Sequence, residues 1–215
     1  MKKTYLLLLI FQFSIASFGQ TKVDEFLKVK FPCDVIKKDT LISNINVLNY
    51  YCENNGEIYS LQRIIVDSIQ DGLNSLPSDL ESLKKFYIGA EKGFTESMSK
   101  NGFKLYNSKE FAIDKYLGLQ ASYSNPNTNS KVIESRFILL NEYMYSIMYM
   151  SNTSFNETNK NNFLNSLKIN TSKNPQQFPG NSTEYKIGYV VGQFAVFGLF
   201  IFGIVLLIKY LRRKK

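Results

Sequence analysis

Apolar and polar residues alternate along several short segments of the chain, which is the pattern of β-strands. The first such segment runs from Phe26 to Phe31. Residues 45–52 and 57–66 are two β-rich runs on either side of Asn54-Asn55-Gly56, and this arrangement predicts a β-hairpin. The same pattern predicts four later strands, at 103–114, 117–123, 132–140 and 143–150. We therefore expect an antiparallel sheet built largely from hairpins.

The last predicted strand has two uncharged faces. One face carries Tyr143, Tyr145, Ile147 and Tyr149, and the other carries the even-numbered residues Met144, Ser146, Met148 and Met150. A strand that faces solvent on one side has charged or strongly polar residues there, so this strand is predicted to be covered on both sides.

A longer period marks a helix in the middle of the chain. Ser78 to Glu81 is a capping-box sequence, and apolar residues then recur at three- and four-residue steps as far as Met98. Asn101-Gly102 is a typical helix end. A second capping box, Ser154 to Glu157, predicts a short helix that ends near Leu167. The fold class predicted for residues 20–169 is α+β, an antiparallel sheet flanked by helices.

The first residues of the chain have the three parts of a secretory signal. Lys2 and Lys3 precede an apolar core from Tyr5 to Ala16, and the small residues Ser17 and Gly19 follow it. The sequence therefore predicts a signal peptide over residues 1–19 and export of the rest of the chain.

The other end predicts an anchor. Residues 187–208 are uncharged and apolar and would span about 33 Å as a helix, enough to cross a bilayer. Residues 209–215 form a basic tail that favours a cytoplasmic location by the positive-inside rule, and its charges are Lys209, Arg212, Arg213, Lys214 and Lys215. The polar residues 170–186 are expected to form a flexible stalk. These patterns predict a single-pass protein of a bacterial inner membrane with its N-terminal domain outside the cytoplasm.

Small residues lie on one side of the predicted span. Gly188 and Gly192 form a GxxxG pattern, and Ala195 falls near the same face. Such a face allows two helices to pack closely, which suggests a homodimer through the span. The alternative is that these glycines have no pairing role, because glycine is common in membrane helices.

The basic charge is confined to the two ends. The formal net charge is +8, but two lysines belong to the predicted leader and five basic residues to the predicted tail. Without those seven the excess falls to one. This distribution indicates membrane orientation and argues against a nucleic-acid partner.

The composition excludes most of the common kinds of catalytic and metal site. The chain contains no histidine and two cysteines, which excludes a Ser-His-Asp triad, histidine metal sites and four-cysteine zinc sites. We expect no cofactor, no metal and no catalytic residue. Cys33 and Cys52 are predicted to form a structural disulfide, because exported thiols tend to oxidise. Their spacing is unlike the C-x-x-C of a redox pair.

Two weaker patterns leave alternatives open. The methionines at 144, 148 and 150 could bind copper(I), although methionine in a strand is more often core filler. Acidic residues could form a carboxylate pair of the glycosidase type, or they could be ordinary surface acids. The acids concerned are Asp67, Asp71, Glu110 and Asp114.

The order of elements resembles the PsbP-like family. The features that carry the resemblance are the early strand ending in Phe31-Pro32, the mid-chain amphipathic helix, Gly118 within a strand and the closing helix Phe163–Leu167. The resemblance covers about residues 24–169 and implies an α/β/α sandwich. The family has mixed functions, so the resemblance implies no catalytic residues.

Three hypotheses of function follow. The first is a membrane-tethered binding or assembly module that acts by protein contact without catalysis. The second is a periplasmic sensor or regulator that works through a membrane partner, because the predicted tail is too short to hold an output domain. The third is an enzyme that uses carboxylates alone, which requires a cleft with two close acids.

Overall fold

The computed structural model describes residues 19–42, 45–66, 76–152, 154–180 and 186–196. The strands in these residues are β1 (Thr21–Lys22), β2 (Leu27–Val29), β3 (Ile36–Ile42), β4 (Ile45–Asn54), β5 (Glu57–Ile65), β6 (Lys104–Ile113), β7 (Tyr116–Ser124), β8 (Lys131–Leu140), β9 (Tyr143–Ser151) and β10 (Lys168–Ile169). The helices are α1 (Leu80–Lys100), α2 (Glu157–Leu164) and α3 (186–196), with a 3₁₀ turn at Thr171–Lys173.

Seven strands form one large antiparallel sheet in the order β3-β4-β5-β9-β8-β7-β6. The predicted β4–β5 hairpin is present, and Asn55 and Gly56 both have positive φ at its tip, as a type I′ turn requires. β9 lies at the centre of the sheet, and most of its residues are buried whichever face they point to. The structure therefore covers this strand on both sides, as its two uncharged faces predicted.

Different layers cover the two faces of the large sheet. On one face, which we call the helix face, α1 and α3 pack on apolar side chains such as Phe137 and Met144. On the other, the small-sheet face, β1, β2 and β10 form a three-stranded antiparallel sheet. That small sheet and α2 bury a second core around Tyr59 and Ile147. The molecule thus has a central sheet between unlike layers.

The predicted fold class is wrong. We expected an α+β fold, an antiparallel sheet flanked by helices, with one C-terminal transmembrane helix. Two antiparallel sheets dominate the structure. The small-sheet face is covered by three very short strands together with α2, where we expected helices. In the segments that the structure describes, no helix combines the length and the apolar character needed to cross a membrane.

The structure describes only part of the predicted membrane span. Residues 187–196 of the predicted span belong to α3, which packs against α1. The rest of that span, residues 197–208, lies outside the described residues, as do residues 1–18 of the predicted signal peptide. The predicted tail also lies outside them, including Lys209, Arg212, Arg213, Lys214 and Lys215.

The two predicted capping boxes are shifted in the structure. The N-cap of α1 is Asp79, whose side chain accepts a hydrogen bond from the backbone N–H of Ser82 at 2.8 Å, while the Ser82 hydroxyl oxygen accepts one from the Asp79 N–H at 2.9 Å. α2 is capped by Asn156 and ends at Leu164, three residues earlier than predicted. Asp and Asn are both strong N-caps, so the signal for a helix start was present one or two residues from where we placed it.

Residues 170–180, which we expected to belong to a flexible stalk, are hydrogen-bonded to the domain. Gln177 is buried, and its amide group both accepts from the Leu117 N–H at 2.8 Å and donates to the Leu117 carbonyl at 2.7 Å. The Asn141 N–H donates to the carbonyl of Gln176 at 2.6 Å. This segment therefore fastens to the end of the large sheet near β7 and the β8–β9 turn.

Candidate functional site

The edge strand β3 is the candidate site. It pairs with β4 from Ile36↔Tyr51 to Ile42↔Ile45, and no other described strand pairs with its outer edge. All of its residues from Ile36 to Leu41 are exposed except Thr40, which is half-buried. Ile36 is 51% exposed and Leu41 69% exposed. Outward-pointing backbone groups and two exposed apolar side chains make this edge a template for another strand.

The register with β4 fixes the direction of each β3 side chain. Lys37 lies opposite Tyr50 and Asp39 opposite Leu48, and both of these β4 residues point to the small-sheet face. Ile36, Lys38 and Thr40 therefore point to the helix face, because side chains alternate along a strand. Lys37 and Asp39 are thus a basic and an acidic side chain two residues apart on one face of an open edge.

The predicted disulfide is confirmed, and it fixes the start of this edge strand. Cys33 and Cys52 are bonded with their Cα atoms 5.8 Å apart and a sequence separation of 19. Cys52 is buried on β4, and Cys33 comes three residues before β3 begins. Closing a loop of this length contributes about 3 kcal/mol in the chain-entropy model. The bond therefore holds the entry to β3 against β4 without occupying the outer edge.

The opposite edge of the large sheet is better protected. β6 has a bulge between Leu105 and Asn107, and its Glu110 forms an ion pair with Lys84 of α1 at 3.0 Å. Bulges and charged side chains are usual devices that prevent an edge strand from pairing with another chain. β3 has charges but no bulge in its register with β4, which makes it the more accessible of the two edges.

The small residues predicted to form a dimer face lie against α1 of the same chain. A Cβ added to Gly188 would collide with the backbone of Phe86, and one added to Gly192 would collide with the backbone of Ala90. Ala195 is fully buried in the same core. Tyr189 adds a hydrogen bond from its hydroxyl to Glu96. The close packing that we expected between two copies is therefore found within one chain.

A buried carboxylate, Glu57, joins β5 to β9 and α2. It accepts hydrogen bonds from the Tyr59 hydroxyl, from the Tyr149 hydroxyl at 2.7 Å and from the Asn159 amide at 2.8 Å. Burial acts to raise the pKa of Glu57, but these three hydrogen bonds outweigh it and hold the pKa below its ordinary value. Burial, together with the hydrogen bond to Glu57, raises the pKa of Tyr149 to about 12.

A second buried carboxylate, Glu134, lies on β8 and is paired with lysines. Lys160 of α2 lies 3.1 Å from Glu134, and Lys131 lies 3.2 Å from it. Both lysines also contact Glu157, which is half exposed at the start of α2. The hydrogen bonds from Lys131 and Lys160 lower the pKa of Glu157. Glu57 and Glu134 therefore both hold α2 against the large sheet.

The acids singled out in the sequence do not form a pair in the described residues. Glu110 is occupied at the surface by Lys84, and Asp114 lies in the β6–β7 turn with φ of 52°. Asp67 and Asp71 lie outside the described residues. Among the residues that the structure places, no group of three or more acidic or cysteine side chains is arranged to hold a metal ion.

The methionine row lies in the helix-face core. Met144 and Met148 are buried, and Met150 is partly buried beside them. On β9, Met148 has Ser60 of β5 directly opposite on one side and Ser135 of β8 on the other. Neighbouring serines and a packed apolar core fit the interpretation of these methionines as core filler better than that of a copper site.

The sequence did not reveal β3 as a strand. Its residues, Ile-Lys-Lys-Asp-Thr-Leu-Ile, do not alternate, because an edge strand exposed on both faces needs no apolar stripe. The available signal was the cluster of charged residues between isolated β-branched residues, which is typical of an edge strand.

No family model, no curated protein and no solved structure matches this chain. The resemblance to the PsbP-like family therefore stays a prediction that rests on the sequence pattern.

Proposed function

We propose that this protein is an exported, non-enzymatic binding module that recognises an extended protein segment along the outer edge of β3. The observation that carries the proposal is the accessibility of this edge, with Ile36 and Leu41 exposed on opposite faces. An incoming strand gains affinity from main-chain hydrogen bonds and specificity from the side chains that alternate above and below it.

The surroundings of β3 support a binding role because they make the edge rigid before a partner arrives. The disulfide between Cys33 and Cys52 fixes its entry, and β4 pairs with it along its whole length. A pre-ordered surface loses less conformational entropy on association than a flexible one does. Most of the binding energy of the backbone contacts is then available for affinity.

The proposed location outside the cytoplasm has two supports. Residues 1–19 have the sequence of a secretory signal, and the disulfide belongs to an oxidising compartment. The proposal that the protein acts without catalysis is supported by the commitment of Glu57 and Glu134 to structural partners.

Site-specific photocrosslinking in cells tests this proposal. A photoreactive amino acid at position 41 of the full-length chain should crosslink to a partner, because Leu41 is 69% exposed on the edge strand. The same group at Ile88, which is 60% exposed on α1, is the matched control and should give little product. Mass spectrometry of the product should locate the crosslink in an extended segment of the partner.

Crosslinks from position 88 without any from position 41 would contradict the proposal. So would a position-41 product in which the partner contributes a helix or a folded surface instead of an extended segment.

A further inference from the structure

We propose that the extended segment is β3 of a second copy of this chain, paired antiparallel about a two-fold axis so that two seven-stranded sheets become one. This inference rests on the proposed function of the β3 edge and names its partner. What favours a second copy is the position of Lys37 and Asp39 on the same face of one exposed strand.

Strand geometry limits the possible registers. In an antiparallel pair, residues directly opposite each other point to the same face, and side chains alternate between faces along each strand. A two-fold axis perpendicular to the sheet must therefore place odd residues opposite odd residues and even opposite even. For a long overlap of β3 with itself, the axis passes through either Lys38 or Asp39.

The charges separate these two registers. With the axis at Lys38, Lys37 of each copy lies opposite Asp39 of the other, which gives two symmetric ion pairs. With the axis at Asp39, the two Asp39 carboxylates face each other and Lys37 lies opposite an apolar Leu41. Opposite charges directly across a strand pair are stabilising and like charges destabilising, so the register centred on Lys38 is favoured.

The apolar side chains also fit this register. Leu41 of one copy lies opposite Val35 of the other on the small-sheet face, and Ile36 lies opposite Thr40 on the helix face. Leu41 and Ile36 are large apolar residues that β3 exposes in one chain, among those of its side chains that the structure describes. Pairing covers both of them with side chains that favour β-strands.

One contact opposes the association. The two Lys38 side chains meet at the axis on the helix face, and their like charges repel. Their ammonium groups are on long, exposed side chains that can turn apart into solvent, so this repulsion is smaller than the attraction of the two Lys37–Asp39 pairs. An interface of this length is also smaller than that of a standard stable complex. We therefore expect a dimer that dissociates on dilution.

A charge-swap cycle on the full chain tests the register. By analytical ultracentrifugation, Lys37→Asp and Asp39→Lys should each raise the dimer dissociation constant about tenfold or more, because each replaces two attractive pairs by two repulsive ones. The double variant Lys37→Asp/Asp39→Lys restores both pairs with their signs exchanged and should restore the wild-type constant. Both substituted positions are exposed in one chain, so thermal unfolding of the dilute monomer should be unchanged and serves as the folding control.

Cysteine crosslinking supplies an independent readout. Lys38→Cys lies on the proposed axis and should give a covalent dimer on mild oxidation, whereas Thr40→Cys lies opposite Ile36 and should not. A dimer in which both single charge variants weaken association and the double variant fails to restore it would overturn the register. A strong Thr40→Cys dimer would overturn it as well.

The failure of this inference can be distinguished from the failure of the proposed function. A chain that is monomeric at all concentrations, yet crosslinks from position 41 to an extended segment of another protein, overturns the second-copy partner alone. A monomer with no crosslink from position 41 overturns both.

Discussion

The two faces of the large sheet differ in the charge of the polar groups that they bury. On the small-sheet face these groups include charged side chains that are paired, namely Glu57, Glu134 and Lys160, while the Tyr116 hydroxyl is buried there without a hydrogen-bond partner. On the helix face they are neutral, and several lack a hydrogen-bond partner, including the Ser60 hydroxyl, the Ser135 hydroxyl and the Gln62 side-chain oxygen. The covering layer is therefore held by ion pairs and charged hydrogen bonds on the small-sheet face, and by close packing of side chains and backbone on the helix face.

The difference follows from the size of the covering elements. α1 has 21 residues and brings a continuous apolar face, and α3 packs on it through glycines that admit backbone contact. α2 has eight residues, and the strands of the small sheet have two or three. Elements this short bury too little apolar area to hold themselves in place, so charged hydrogen bonds add to their attachment. The polar network on the small-sheet face therefore has a structural role.

The largest expected effect comes from breaking the buried ion pair. Lys160→Met should lower the free energy of unfolding by about 3 kcal/mol, because it leaves the carboxylate of Glu134 buried with Lys131 as its remaining cation. Urea denaturation followed by circular dichroism measures the change. If the network fastens α2, the hydrogen exchange of α2 should also increase more than that of α1.

Two further variants show whether the loss is due to the buried charge. Lys85→Met removes an i,i+4 pair with Glu81 at the surface and should change stability by no more than about 0.5 kcal/mol. The double variant Lys160→Met/Glu134→Leu removes both charges and should recover much of the loss, because an apolar pair has no desolvation penalty. A Lys160→Met loss as small as that of Lys85→Met would contradict the fastening role.

The sequence predicted the elements with strong periodicity and missed those without it. The β4–β5 hairpin and α1 were found because turn residues and a three-to-four-residue period mark them. β1 and β10 have two residues each, which is too short for any period to be read. Their absence from the prediction is the reason that the small-sheet face was expected to carry helices, and hence that the predicted fold class was wrong.

Contacts between residues far apart in the sequence were predictable only where chemistry restricts the choice of partner. Two cysteines in an exported domain have one possible intramolecular pairing, so the disulfide could be predicted. Glu57 instead bonds to Tyr149 and Asn159, which are 92 and 102 residues away along the chain. Any of many tyrosines and asparagines would satisfy that carboxylate, so one sequence cannot identify which of them does.

The next effect tests the shape-based packing of the helix face. Gly192→Ala should lower the free energy of unfolding by about 2 kcal/mol, because the added methyl group collides with the Ala90 carbonyl and forces α3 away from α1. The gain in helix propensity from glycine to alanine, about 1 kcal/mol, opposes this loss, so the net value already includes it. Hydrogen exchange of α3 should rise at the same time. Lys92→Ala is the control, because Lys92 is exposed on α1 and the substitution introduces alanine away from the contact with α3. Equal stability of the two variants would show that α3 does not need close contact with α1.

A smaller effect should appear as the pH falls. The pKa of Glu57 is lower in the folded protein than in the unfolded chain, so its contribution to stability is present above the unfolded pKa and is lost as the pH falls through the folded pKa. Tyr149→Phe removes one of the hydrogen bonds that lower this pKa, so the acid-induced loss should move to higher pH. Stability measured against pH for the wild type, Tyr149→Phe and Glu57→Gln checks this. If the free energy of unfolding falls with decreasing pH in the same way in all three proteins, Glu57 is not the source of the pH dependence.

The smallest effect has the opposite sign on the two faces. The Ser135 hydroxyl is fully buried on the helix face without a partner, so its burial costs free energy that no hydrogen bond offsets. Ser135→Ala should therefore raise the free energy of unfolding, by about 1 kcal/mol.

Ser122 is the matched position on the small-sheet face, where its hydroxyl donates to Glu134 at 3.4 Å. Ser122→Ala should lower the stability by a similar amount, since it removes a hydrogen bond to a buried carboxylate. Urea denaturation of the two variants gives the comparison directly. A loss of stability in both would mean that the helix face, too, satisfies its buried hydroxyls in solution, and the contrast between the two faces would then be one of charge alone.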